Sequence, residues 1–109
     1  MVAGDAERIR RCEAREVGRL IVGEALLRAR AIESQCWIIA AASWGQYEER
    51  GAARSVYGHS LVADPWGHVV AKCSDGVGWA TARLDPAVTA RVRRDMPVLE
   101  HRDARRVRL

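Results

Sequence analysis

The chain of 109 residues corresponds to one domain at most, and its 49% hydrophobic and 29% charged residues exclude a disordered protein. Its net charge of +4 comes from basic residues interspersed with acidic ones, which is typical of a solvated surface and predicts no nucleic-acid partner. The longest uncharged run, Ser34 to Tyr47, has 14 residues and is too short to cross a bilayer, so we expect no membrane partner.

Two helical segments are predicted first. Residues from about Ala6 to Ser34 carry apolar side chains near helical spacing among good helix formers. A glycine in a helix interior costs up to about 1 kcal/mol relative to alanine. A break near Gly23 therefore separates an Arg/Glu-rich first segment, residues 1–23, from a firm helix over Glu24 to Ser34.

The middle of the chain predicts strands. The run Cys36 to Ala42 is continuously apolar, which is typical of a sheet-centre strand covered on both faces. The polar stretch Ser43 to Gly58 predicts a long loop. His59–Ala63 and His68–Cys73 predict an antiparallel hairpin around the type I turn Asp64-Pro65-Trp66-Gly67.

A further strand is predicted from Trp79 to Leu84. The last helix begins with Asp85 as N-cap and Pro86 at its first position, continues to about Asp95, and ends at Met96-Pro97. The predicted order is helix, strand, loop, hairpin, strand and helix, an α/β arrangement with α+β character. Because these elements do not cover the first strand on both faces, the pattern indicates part of a larger sheet.

A series of short segments, taken in chain order, resembles the motifs of one known family. They are Leu27 to Glu33, the strand after Cys36, Tyr57 to Ser60, Asp64 to Gly67, Val69 to Ala71, Ala82 to Asp85, Arg93-Arg94, Met96-Pro97 and His101-Arg102. Together they resemble the carbon–nitrogen hydrolase (nitrilase) superfamily, and most of all its Nit-type amidases. The resemblance implies the C-terminal portion of an α-β-β-α sandwich over residues 24–102, which leaves 1–23 unmatched and 103–109 as a basic tail.

In that family a glutamate, a lysine and a cysteine hydrolyse amide or nitrile C–N bonds with no cofactor and no metal. The cysteine attacks the carbon, the glutamate moves protons and the lysine stabilises the developing charge. All three precede the matching segment, so the resemblance implies that this chain carries no catalytic residue and is inactive alone. Cys12 is interpreted as incidental, and the two other cysteines as small core residues, since the three have no disulfide or metal-type spacing. Lys72 is expected to be solvated.

The resemblance also implies a pocket. The segment 43–60 resembles the loop that borders the substrate in the family, with Trp44, Tyr57 and His59 as pocket-wall residues. No acid is placed to orient the histidine, so these residues predict no catalytic triad.

Four further residues are predicted to be structural. Arg30 and Glu33 lie three apart on one helix face and are close enough to pair. The resemblance leaves open a positioning role for them near the active-site wall. Asp64 and Gly67 shape the hairpin turn.

Three functions remain open. The chain is a truncated Nit-like amidase homologue without its triad, a noncatalytic module that docks onto a full-length amidase, or the C-terminal half of a split amidase. A second copy or a full-length family member would bind through the sheet edge and the helices. Both ends depart from the family pattern, which predicts either an altered reading frame or wrongly assigned gene boundaries there. The first residues lack the apolar segment of a signal peptide, so we expect a cytoplasmic location.

Overall fold

The computed structural model describes residues 23–101. The predicted Arg/Glu-rich helix, Cys12 and the basic tail lie outside these residues. Helix α1 covers residues 23–34. It is followed by β1 (Ile38–Ala40), β2 (Trp44–Glu49), β3 (Ala52–Tyr57), β4 (Leu61–Ala63), β5 (Val69–Lys72), α2 (Pro86–Asp95) and α3 (Val98–His101). No described helix is both long and apolar enough to span a bilayer.

Helix α1 packs on one face of an antiparallel sheet with the strand order β1-β4-β5. Ala31 of the helix and Leu61 and Ala63 of β4 are buried and form the core. Directly opposed residues share a face of a sheet. Ile38 lies opposite Ala63, and the packing of Ile38 against the core identifies the helix-facing side of β1.

A β-bulge interrupts the pairing of β4 with β5. Ala71 lies opposite Val62, but Val69 lies opposite Ala63, so Val70 is an extra residue on β5. Because Lys72 lies opposite Leu61, it shares the helix-facing side of the sheet with Val69, three residues away. Strict alternation would place residues three apart on opposite faces.

The segment predicted as a long loop is instead a second hairpin, so that prediction is wrong. Strands β2 and β3 pair in register from Trp44 opposite Tyr57 to Glu49 opposite Ala52. Their turn, Arg50-Gly51, has φ values of 52° and 75°. Two positive φ values define a type I′ turn, which suits the twist of a hairpin. The strands are largely exposed and polar, so they have no apolar alternation that would identify them.

The predicted strand Trp79–Leu84 does not form, and within the described residues this segment pairs with no strand. Trp79 is largely exposed. The helix after it is confirmed. Asp85 caps α2 by accepting a hydrogen bond from the backbone N–H of Ala87, and Met96 follows the last helical residue.

Within the described residues, β1 lies at the edge of its sheet rather than at the centre predicted from its apolar run. Ile39 is 65% exposed, while Trp37 and Ile38 are half-buried. The face of the sheet opposite α1 is therefore open along β1.

Candidate functional site

A cavity of about 190 Å³ lies where the first described turn of α1 meets β1, β5 and the segment after β3. Leu27 and Leu61 contribute apolar walls, and the polar lining side chains are Glu24, Tyr57, His59 and Lys72. The predicted pocket-wall residues Tyr57 and His59 thus lie at one cavity. The third, Trp44, does not line it, and lies beside Gly58 instead.

His59 is held by its own backbone and by a stacked ring. It has a φ of 59°, and its imidazole stacks on the Tyr57 ring with centroids 4.1 Å apart. Nδ1 lies 2.8 Å from the carbonyl oxygen of Tyr57. A carbonyl only accepts, so Nδ1 carries a hydrogen and donates it.

The other ring nitrogen of His59 lies between two oxygens. Nε2 is 3.4 Å from the Tyr57 hydroxyl and 3.2 Å from Oδ1 of Asp75. In the neutral imidazole Nε2 is an acceptor and the hydroxyl donates to it; in the imidazolium Nε2 donates to the carboxylate. Protonation of His59 therefore creates an ion pair with the turn that follows β5.

Glu24 and Lys72, which also line the cavity, form an ion pair. Nζ of Lys72 lies 2.7 Å from Oε2 of Glu24, and both side chains are about one-third exposed. The hydrogen bond from Lys72 lowers the pKa of the Glu24 carboxyl below its ordinary value of 4.5, against an opposing effect of desolvation. The charges of Lys72 and Arg28 add to the lowering.

Lys72 is exposed, as expected, but its ion pair with Glu24 is not predictable from the sequence pattern. Strict alternation along β5 from Val69, which faces α1, would place Lys72 on the other side of the sheet. The bulge at Val70 puts Val69 and Lys72 on the same side, facing α1. No residue pattern in β5 predicts the bulge.

The predicted ion pair between Arg30 and Glu33 forms, and it is exposed. Arg30 donates to Glu33 across one turn of α1, and both side chains are at least half exposed. Neither lines the cavity. Exposed pairs at this spacing stabilise a helix by only a few tenths of a kcal/mol, about 0.2–0.5.

The turn between β4 and β5 is fixed by Asp64 and Gly67. Oδ1 of Asp64 accepts hydrogen bonds of 2.9 Å from the backbone N–H groups of Trp66 and His68. The N–H of Gly67 donates to the Asp64 carbonyl over 2.8 Å. Nε of Arg28 then donates over 2.7 Å to the Gly67 carbonyl, which joins the turn to α1.

The two described cysteines lie outside the cavity lining. The Cys36 thiol donates to the Ser34 carbonyl over 3.2 Å and lies 3.1 Å from a guanidinium nitrogen of Arg93. Cys73 lies on the face of the sheet opposite α1, beside Ala71. Neither sulfur is placed to attack a group bound in the cavity.

Residues 18–94 match the family model described as "Carbon-nitrogen hydrolase". Human deaminated glutathione amidase is 53% identical over 79 residues, which cover 72% of this chain and 23% of the human protein. The nitrilase and fragile histidine triad fusion protein NitFhit of Caenorhabditis elegans is 48% identical over 79 residues, 72% of this chain and 17% of that protein. The chain thus spans about a quarter or less of the length of these relatives.

Solved structures of the nitrilase superfamily are also similar to this chain. The crystal structure of C. elegans NitFhit superposes with a TM-score of 0.73 at 43% identity, covering 84% of this chain and 21% of that one. Saccharomyces cerevisiae Nit3, a member of branch 10 of the nitrilase superfamily, gives 0.62 at 28% identity, with coverages of 84% and 31%. These superpositions confirm the predicted nitrilase fold. With the family model matching most of its length, the chain belongs to the carbon–nitrogen hydrolase family and is a homologue of the Nit-type amidases.

Proposed function

We propose that the chain forms one part of the substrate pocket of a Nit-type amidase, and that the glutamate, lysine and cysteine of the reaction lie outside it. One observation carries the proposal: all the described residues that line the cavity fall within residues 18–94, which match the family model. The human relative is named for its action on deaminated glutathione. We extend that substrate class, amides that bear carboxylates, to the cavity of this chain.

Within residues 23–101, the positions of the two thiols support a segment without its own nucleophile. Amide hydrolysis through a cysteine begins when the thiolate attacks the carbonyl carbon; the C–N bond breaks, the amine leaves after taking up a proton, and water then releases the acid from the thioester. Cys36 is engaged with Ser34 and Arg93, and Cys73 lies on the other face of the sheet. Residues of this chain would bind and orient the amide while Leu27 and Leu61 exclude water from it.

A chimera tests the proposal. The 79 matching residues of human deaminated glutathione amidase are replaced by those of this chain, and release of the amine fragment cysteinylglycine from deaminated glutathione is measured. We expect the chimera to hydrolyse the amide and the chain alone to release no amine. A matched control, Val77→Ala on the fully exposed turn after β5, keeps the activity of the chimera.

Two results would contradict the proposal. A folded chimera without amidase activity would show that this segment does not form the pocket. Turnover by the chain alone that disappears on Cys12→Ser would show that it supplies its own nucleophile.

The open face of the sheet supports a second function, docking onto a full-length amidase or complementing the rest of a split one. Ile39 is 65% exposed, and beside it Val62, Ala71 and Cys73 line a hollow of about 110 Å³. An apolar, unpaired edge strand is a site for association. Co-purification with the human enzyme tests it: Ile39→Glu abolishes capture, whereas Val77→Glu on the fully exposed turn does not. Equal capture of both variants would refute docking through this face.

A further inference from the structure

The bulge in β5 does more than interrupt a pair of strands. It turns the side chain after Ala71 toward α1, and that side chain is Lys72. Bulges commonly re-aim a side chain next to a functional site. Here the re-aimed ammonium reaches a carboxylate at the cavity, Glu24, over 2.7 Å.

Glu24 is the only carboxylate among the described residues that line the cavity. Left alone, its charge would repel a ligand that bears carboxylates, since two like charges near 4 Å repel by about 1 kcal/mol even in water. Paired with Lys72, the site carries no net charge from these two residues. The hydrogen bond from Lys72 of β5 also holds the Glu24 carboxylate in one position, so that its side chain does not sample other rotamers.

We propose that Lys72 is a positioning residue that fixes Glu24 and cancels its charge, so that the cavity accepts a carboxylate-bearing amide. This inference rests on the proposed function for the identity of the ligand. The geometry of the pair does not depend on it. Deaminated glutathione, which bears carboxylates at neutral pH, is the probe.

The first experiment uses the whole chain and needs no activity. Titration of Glu24 is followed by NMR of side-chain carboxyl carbons in the unmodified chain, in Lys72→Met and in Lys72→Arg. We expect the Glu24 midpoint to rise in Lys72→Met and to return in Lys72→Arg. The control Arg30→Met, which removes an exposed pair on the same helix, leaves the Glu24 midpoint unchanged. An unchanged midpoint in a folded Lys72→Met overturns the inference.

The second experiment uses the chimera. In Lys72→Met we expect the KM for deaminated glutathione to rise about fivefold or more, the factor for one unit charge near 4 Å in water. The KM for an uncharged amide stays the same. Lys72→Arg restores the KM, and so does Glu24→Gln added to Lys72→Met, because both remove the unbalanced charge.

The two experiments separate the two ideas. An inactive chimera together with a raised Glu24 midpoint refutes the proposed function and leaves Lys72 as the residue that positions Glu24. If the chimera is active and Lys72→Met leaves its KM values unchanged, the Glu24–Lys72 pair is a surface contact only. That result overturns the inference.

Discussion

A Cβ atom on Gly67 would lie 2.7 Å from both Cγ1 and Cδ1 of Ile32. Helix α1 therefore packs directly against the backbone of the hairpin turn. The hydrogen bond from Arg28 to the Gly67 carbonyl joins the same two elements. The turn and the helix form one unit, which carries Glu24 at one end of the helix.

We expect Gly67→Ala to lower the free energy of unfolding by about 1–3 kcal/mol, because the new Cβ meets Ile32 and because φ at this position is +80°. Urea unfolding measures it. Gly78→Ala is the control, since a Cβ there meets no atom of the described residues within 4 Å. Equal stability of both variants would mean that the helix and the turn are not in contact.

Asp64→Ala should lower stability by about 1–3 kcal/mol, since it leaves the N–H groups of Trp66 and His68 without their acceptor. Asp64→Asn keeps an oxygen at Oδ1 and should lose much less, chiefly the contact of Oδ2 with His68. Chemical denaturation of the three proteins distinguishes them. Similar losses for alanine and asparagine would assign the effect to charge rather than to the turn.

The Glu24–Lys72 pair predicts a pH dependence of stability. Because the folded-state pKa of Glu24 is lowered, the pair stabilises the fold above the ordinary value of 4.5. That contribution is lost as the pH falls through the lowered folded-state pKa. The difference in Tm between the unmodified chain and Lys72→Met should therefore be larger near pH 6 than near about pH 3. A difference that does not change with pH would contradict the pairing.

The open edge of β1 predicts that the isolated chain is marginally stable and self-associates. Each large apolar side chain left exposed forfeits about 1.5–3 kcal/mol of burial, and Ile39 is 65% exposed. Sedimentation should show oligomers that Ile39→Glu dissociates. A monodisperse monomer with a sharp transition above about 65 °C would identify a self-sufficient domain instead.

Local chemistry made part of the fold predictable from sequence. Asp85 and Pro86 start α2 because a capping carboxylate and a preset φ act within a few residues. The Asp64 to Gly67 turn likewise encodes its own geometry, and it specifies which strands pair around it. The helical spacing of apolar side chains over Glu24 to Ser34 is equally local.

The remainder depends on contacts that a single segment does not encode. The β2–β3 hairpin turns at Arg50-Gly51, and arginine is an uncommon residue at the positive φ that a type I′ turn requires. Half of the cavity's polar lining was missed for a related reason. Tyr57 and His59 lie two residues apart in one segment, whereas Glu24 and Lys72 are 48 residues apart and meet only through the packing of α1 on β5.

Residues of a strand have a parity, odd or even, that assigns them to one side of the sheet, and Val70 reverses that parity along β5. If Val70 instead paired with Val62 in a regular ladder, Ala71 would lie opposite Leu61, and Lys72 and Cys73 would exchange faces of the sheet. The thiol would then face the cavity side and the ammonium would face the outer hollow, with no change in the sequence. Val70, which has no directly opposed residue on β4, thus decides which side chains of β5 face α1 and which face the other side of the sheet.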